Sequence, residues 1–567
     1  MPRLTHRCCH HARSGALIAA LLITVMATAP AIASPTAKNV IMMIPDGCSF
    51  EQYTLARWVK GAPLALDGIL TGAVRTYIAD SVVADSAPAA SAYATGRRTS
   101  DKLISVAPKT EGLLPGVLAP PGEAAYRPLA TVLEAARLAG KAVGIVATSR
   151  VSHATPAAFV SHVSRRDLEF DIMEQAVYQG VDVVLGGGGS YLLGAGQHLP
   201  GSGWAWQGRR PDGENLTDVL HARGYGIITT RKELLNVRNR RVFGLFASGH
   251  MAPDIDRHRT APEEPSLAEM TAAAIGILSA DPDGFFLMVE GSQVDWADHA
   301  NDPAHLVSDL LMFDAAVKTA MDFAHTDGRT LVLAMPDHNT GGMTIGNSAT
   351  NGRYSQMPVA DVVAPLKRMT ASSGAIVQQL GKDRRPASLI TAIARDWGIR
   401  ITVDDATDVL EKMAAYSDTP HYAIGEVLSP RYLVLGWTTH GHCGGDVPLG
   451  AFGPGRPAGL LDAPDIGRTA AAALGLDLEN TTLRLFVDAA RVFGADSVSV
   501  ATDSPENRLA RIDYKGKTAM LAVNKNLLQM DGRTHELEGV VVFIPETGKL
   551  YLPQDAVASL KTTRFLP

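Results

Sequence analysis

Side chains that bind metal ions cluster at four places in this chain, three of them at the ends of apolar runs. In Glu290-Gly-Ser-Gln-Val-Asp295-Trp-Ala-Asp-His299, Asp295 and His299 stand four residues apart. On a helix that spacing turns both side chains to one side, where they could chelate one zinc ion. Asp337-His338 ends a second run and Asp46 a third, while His442 opens the glycine-rich segment His442-Cys-Gly-Gly-Asp446. Any one of these reads equally well as a polar residue capping the next helix. Four segments so loaded point to a metal centre. Oxygen and nitrogen donors suit Zn²⁺ and Mg²⁺ and not an iron–sulfur cluster.

A nucleophile candidate stands apart from these. Asp85-Ser86-Ala-Pro-Ala-Ala-Ser-Ala-Tyr-Ala-Thr-Gly96 reads as a helix starting at Ser86, with Pro88 in its first turn and Gly96 as its C-terminal cap. Asp85 or Ser86 could simply cap that helix. Alternatively, Ser86 is a serine nucleophile at a helix N-terminus, where free N–H groups and the dipole favour an anion.

The elements that must carry these residues follow a rhythm. Asn39-Val-Ile-Met-Met-Ile44, Ala142-Val-Gly-Ile-Val-Ala147, Val181-Asp-Val-Val-Leu185, Phe285-Phe-Leu-Met-Val289 and Thr330-Leu-Val-Leu-Ala-Met335 are near-continuous apolar strands ending in polar clusters. Ala- and Leu-rich helical patterns at 129–139, 267–278 and 305–324 alternate with them. The fold class is therefore α/β: three αβα layers around a large, mostly parallel sheet buried on both faces. Active sites in such sheets lie beyond the carboxyl ends of the strands, where the polar clusters fall. Residues 345–435 read as an inserted subdomain. Residues 496–567 read as a small β-rich module with turns at Asp531-Gly532 and Thr547-Gly548 and a closing helix near 554–560. The catalytic domain accordingly spans 34–495.

Composition narrows the classes. With 46% hydrophobic and 19% charged residues, the 567-residue chain is globular and not disordered. A net charge of −6 argues against nucleic-acid binding through general basic charge. Residues 1–33 carry Arg3, Arg7 and Arg13, an apolar run and an Ala31-Ile32-Ala33 cleavage pattern, as a secretory signal peptide does. Its apolar run is about 14 residues, short of the ~20 that a membrane span needs. Cleavage would leave 534 residues with a charge of −9 and two cysteines, Cys48 and Cys443. The expectation is an exported protein, periplasmic or extracellular, with no membrane association once the leader is gone.

Taken together and in order, Asp46, Asp85-Ser86-Ala87 with Thr95-Gly96, Ala154-Thr155-Pro156-Ala157, Val289-Glu290-Gly291 with Asp295 and His299, Asp337-His338, and His442 with Gly444 resemble the alkaline phosphatase family. The likeness covers residues 38–345 and 430–490. It implies that Ser86 is a nucleophile that becomes a phosphoserine. It implies one zinc ion on Asp295, His299 and His442, and a second on Asp46, Asp337 and His338, in contact with Ser86. It implies Mg²⁺ on Asp46, Thr155 and Glu290, with His153 beside them. Arg166 matches the arginine that grips the phosphate, Arg165 being the neighbouring alternative, and Asp85 would orient it. The implied substrates are small phosphate monoesters, and the implied assembly is a homodimer.

The physics of the residues agrees. Metal ions would supply the positive charge that an acidic protein lacks for binding a dianion, and two of them suit in-line displacement. Related phosphodiesterases, sulfatases and phosphomutases are the neighbouring readings; a non-catalytic binding protein is the distant one. Sulfatases of this architecture are similar to Cys/Ser-x-Pro-x-Arg at this point, and Ser86-Ala-Pro88-Ala-Ala90 has no such Arg.

Two positions depart from the better-known bacterial pattern: His153 stands where Asp is usual and Trp296 where Lys is usual. A nitrogen ligand at 153 could turn the third site toward zinc, and loss of the lysine should weaken phosphate binding. Cys48 and Cys443 read as small buried side chains, a disulfide or soft metal ligands. His440 reads as a supporting partner of the site, and Asp298 and Asp302 as solvated. The four glycines at 186–189 lack the Lys-Ser/Thr of a P-loop.

Overall fold

A computed structural model describes residues 36–199, 207–501 and 507–561. The predicted leader, 1–33, lies outside them. Ten strands form the main sheet: β1 (Asn39–Pro45), β2 (Leu70–Arg75), β3 (Ala142–Arg150), β4 (Val183–Gly187), β5 (Gly226–Ile228), β6 (Val242–Leu245), β7 (Phe285–Gly291), β8 (Thr330–Ala334), β9 (Asp446–Phe452) and β10 (Gly459–Asp462). Their spatial order is β10-β2-β9-β8-β1-β7-β3-β4-β6-β5. Only β9 runs against the rest, pairing antiparallel with β2 and β8.

Alternation along β1 explains its unbroken apolar run. Ile41 and Met43 join one hydrophobic cluster, with Leu267, Leu310 and Phe313 of the helices Leu267–Leu278 and Pro303–Asp327. Val40, Met42 and Ile44 join another on the opposite face, with Leu133, Met173 and Ile466. A strand covered on both faces has no polar side to show. Local signals set the helix ends. Ser266 and Glu269 close a capping box at Leu267–Leu278, and Gly328, at φ 70°, ends Pro303–Asp327.

The segment between Thr344–Ile345 and Leu435–Gly436, two short strands that pair antiparallel, is helical. It holds Val359–Leu366, Ser373–Leu380, Pro386–Asp396, Val403–Ala415 and Tyr422–Tyr432. Its apolar side chains, the fully buried Trp397 among them, are continuous with the first hydrophobic cluster.

The tail is built of two small antiparallel sheets and the closing helix Gln554–Lys561. Asp531 (φ 50°) and Gly532 (φ 71°) turn the chain between Leu527–Met530 and Arg533–Glu536, as a type I′ hairpin requires. The tail packs on the main body. Asn524 accepts from the buried Gln175 amide, and Lys525 pairs with Glu174 and Glu214. No helix among the described residues is long and apolar enough to cross a membrane.

Candidate active site

The carboxyl ends of β1, β7, β3 and β8 converge, and they deliver Asp46, Glu290, the segment leading to His153 and Thr155, and Asp337-His338. The reversed β9 starts where the others stop, so the segment just before it brings His442 to the same edge. Asp295 and His299 come from the helix Gln293–His299, which follows β7 directly.

Three ligand groups result, each with donor atoms within 4.8 Å of one another: Asp295, His299 and His442; Asp46, Asp337 and His338; and Asp46, His153 and Glu290. His299 Nε2 lies 3.3 Å from Asp295 Oδ2 and 3.2 Å from His442 Nε2. The other ring nitrogens are committed to backbone carbonyls, His442 Nδ1 to Ala84 at 2.8 Å and His299 Nδ1 to His440. Each imidazole therefore turns Nε2 inward, as metal-binding histidines do. His440 itself bonds the carbonyl of His299 at 2.7 Å and supports the cluster from outside.

Several donors of the second and third groups lack partners of their own. Both oxygens of Asp46, Asp337 Oδ2, Glu290 Oε1, Thr155 Oγ1 and His153 Nδ1 are buried without a hydrogen bond. Buried polar groups are normally satisfied, so six such atoms around one point fit bound cations. The electrostatics agree. Burial, then the neighbouring Asp337, Asp295 and Glu290 carboxylates, push the Asp46 carboxyl well above its usual range. Burial pushes Glu290 up to about 7. Burial and the nearby Arg166 hold His153 well below its ordinary value, leaving a neutral ring with a free lone pair. Burial opposes a charge on His299, but the Asp295 carboxylate outweighs it and raises the ring to about 9. Oxygen and nitrogen donors without thiolate fit Zn²⁺ and Mg²⁺.

Ser86 opens the helix Ser86–Thr95, with Asp85 as its N-cap. Its hydroxyl is 3.1 Å from His338 Nε2 and lines a polar cavity of about 680 Å³. Arg166 reaches into the same cavity, held by Asp85 Oδ1 at 2.8 Å and His153 Nε2 at 3.0 Å. Arg165 points to solvent and pairs with Asp167.

Other expectations need amendment. Asp298 and Asp302 are not solvated. Asp298 is fully buried and accepts from Gln52, while Asp302 caps Pro303–Asp327 and accepts from Ser373 N at 2.6 Å. The helical insert covers Asp302 through Ser373, and Gln52 of the helix Phe50–Lys60 covers Asp298. Cys48 is buried, Cys443 only partly, and both are free thiols outside the ligand groups. The glycines at the end of β4 serve close approach, since a Cβ on Gly187 would lie 2.2 Å from the Gly249 carbonyl.

Two residues escaped sequence reasoning. His250 follows β6 and packs its ring 4.0 Å from Trp296, which also touches His153 at 5.5 Å. The polar cluster Ser248-Gly249-His250 after an apolar run was the available signal. Lys102 sits in the cavity wall, 3.3 Å from Asp85 Oδ1. Nothing in Ser100-Asp101-Lys102-Leu103 distinguishes it from a surface turn.

The alkaline phosphatase family model matches residues 37–476. The chain belongs to the alkaline phosphatase family. It is 35% identical over 464 residues to alkaline phosphatase 3 of Bacillus subtilis (78% of this chain, 90% of that one). It is 32% identical over 456 residues to the repressible alkaline phosphatase of Saccharomyces cerevisiae (74% and 76%). The crystal structure of Thermus thermophilus alkaline phosphatase superposes with a TM-score of 0.66 at 28% identity, covering 81% of this chain and 96% of that one. The β-rich tail lies beyond the matched residues.

Proposed function

We propose that this alkaline phosphatase family member hydrolyses phosphate monoesters through a phosphoserine on Ser86. The observation that carries this reading is the meeting of a helix-N-terminal serine hydroxyl, a guanidinium and three groups of metal-ligand side chains, two of them with unsatisfied buried atoms, around one polar cavity. Asp295, His299 and His442 would hold one zinc ion and Asp46, Asp337 and His338 a second. Asp46, Glu290 and Thr155 would hold Mg²⁺, with the His153 nitrogen making zinc an alternative occupant. Bound there, the cations would supply positive charge to the phosphoryl oxygens and to both the attacking and leaving oxygens.

The chain's own groups do the rest. Ser86 Oγ attacks phosphorus and the ester oxygen departs opposite to it; water then cleaves the Ser86–phosphate bond and releases phosphate. Arg166, aimed by Asp85, grips two phosphoryl oxygens with its planar fork. The amides at the start of Ser86–Thr95 face the developing charge. Asp46 would serve two sites at once, since it belongs to two of the ligand groups.

The leader-like residues 1–33 support export, to the periplasm or the medium. A homodimer is the proposed assembly, and phosphate monoesters are the proposed partners. Ser86→Ala should reduce hydrolysis of p-nitrophenyl phosphate by at least a thousandfold and abolish trapping of phosphoserine. Undiminished turnover would overturn the mechanism. Comparison with bis-p-nitrophenyl phosphate separates monoesterase from diesterase activity.

A further inference from the structure

Among the described residues, two side chains with permanent positive charge line the Ser86 cavity, Arg166 and Lys102. Lys102 holds φ 65°, the left-handed region that residues with a Cβ enter only at a cost. Strain of this kind persists where surrounding structure fixes it, and it gathers at functional sites. Here the fixing is explicit. The Lys102 carbonyl accepts from Arg166 N at 2.9 Å, and one step on, Ile104 and Val163 exchange backbone bonds of 3.0 and 3.2 Å. The two cations are thus neighbours across a short antiparallel bridge. Both reach the same oxygen, Asp85 Oδ1, Arg166 at 2.8 Å and Lys102 at 3.3 Å. Arg166 is mostly enclosed, whereas the Lys102 side chain is 54% exposed at the cavity mouth and can swing.

The mouth needs such a cation. Asp80, Asp101 and Asp295 also line the cavity, and a phosphate dianion must pass them. We propose that Lys102 is an affinity-determining residue for the phosphoryl group: its ammonium moves from Asp85 onto a phosphate oxygen beside Arg166, holding both the monoester and the free phosphate product. The inference rests on the phosphomonoesterase reading above. The competing role is structural, with Lys102 serving only to brace Asp85.

The two roles separate in Lys102→Gly, because glycine accepts φ 65° without strain. In the metal-loaded enzyme we expect KM for p-nitrophenyl phosphate and Ki for inorganic phosphate to rise together by five- to thirtyfold. That factor is about 1–2 kcal/mol at 1.4 kcal/mol per tenfold. Melting temperature should stay level or rise. Lys102→Arg should recover most of the affinity, and Lys318→Ala, which removes an exposed charge paired with Asp322 away from the cavity, should leave Ki in place. A phosphate Ki within twofold of wild type in Lys102→Gly overturns the proposal, as does a fall in melting temperature with unchanged Ki. If the wild type hydrolyses no monoester, the functional reading fails on its own. Calorimetric titration of phosphate into the same variants then still decides the role of Lys102, by the presence or absence of the same affinity loss.

Discussion

Glu290 should weaken the protein it helps to build whenever cations are stripped from it. Its carboxyl is fully buried at the end of β7, with Oε2 accepting from Ser149 Oγ and Oε1 accepting nothing. Burial raises it from an ordinary 4.5 to about 7. The sign follows from proton counts. Between these values the folded chain holds a proton that the unfolded chain has released, so stability falls as pH rises and levels off above about 7. At 1.36 kcal/mol per unit, moving from pH 5 to pH 8 should cost metal-free protein about 2.7 kcal/mol at this residue. Glu290→Gln keeps the shape of the protonated acid and removes the titration. After exhaustive chelation, the variant should gain on wild type by about 2.7 kcal/mol over that pH interval. With ~2 cal/mol/K per residue over roughly 500 residues, the gain is about 2–3 °C in melting temperature. Differential scanning calorimetry of both proteins at pH 5 and pH 8 reads it directly. With Mg²⁺ or Zn²⁺ restored the order should reverse, because the amide carries no charge to meet the cation. A variant advantage that is absent at pH 8, or equal at the two pH values, would refute the reasoning.

Other perturbations act on neighbouring features. Trp296→Lys should place an ammonium beside His153 and Arg166 and lower the phosphate Ki roughly tenfold, with slower turnover as product lingers; steady-state kinetics with added phosphate checks it, and an unchanged Ki contradicts it. Gly47→Ala would put a Cβ 2.6 Å from Asp295 Oδ1 at φ 69°; beyond about 1–2 kcal/mol for the backbone alone, it should displace Asp295 and lower the zinc content measured by mass spectrometry. Asp302→Ala removes the cap of a 25-residue helix and strands the Ser373 N–H; the cap is worth about 1 kcal/mol and the orphaned donor about 1–3 kcal/mol, losses that should appear as a lower melting temperature with KM unchanged.

Much of the site could be read from the chain because its residues sit where apolar runs stop. Asp46, Glu290 and Asp337-His338 announce themselves as polar groups at the ends of strands, and the spacing of Asp295 and His299 is a local helical fact. Choosing Arg166 over Arg165 needs three dimensions, since adjacent residues differ only in which way the chain turns them. Lys102 stayed hidden because a left-handed backbone leaves no mark in a residue that is not glycine. Asp298 and Asp302 misled for a related reason. Acids at helix ends are usually wet, and here residues distant in sequence close over them: Ser373 N bonds Asp302, and Gln52 Nε2 bonds Asp298. The large sheet followed from alternation of strands and helices. The reversed direction of β9 did not, because a strand's apolar pattern is the same read either way.

The position of β1 has a consequence in time. It lies between β7 and β8, with Val40 opposite both Phe286 and Leu331. The earliest strand among the described residues therefore has no lateral partner until some 240 further residues have been synthesised. At roughly 5–20 residues per second, the newborn chain spends at least ten seconds with its central strand unpaired. Pairings so distant in sequence also make for slow folding. With this wiring, Asp46 at the end of β1 cannot take its place until β7 and β8 exist, and the ligand cluster closes only once the chain has been made as far as His442.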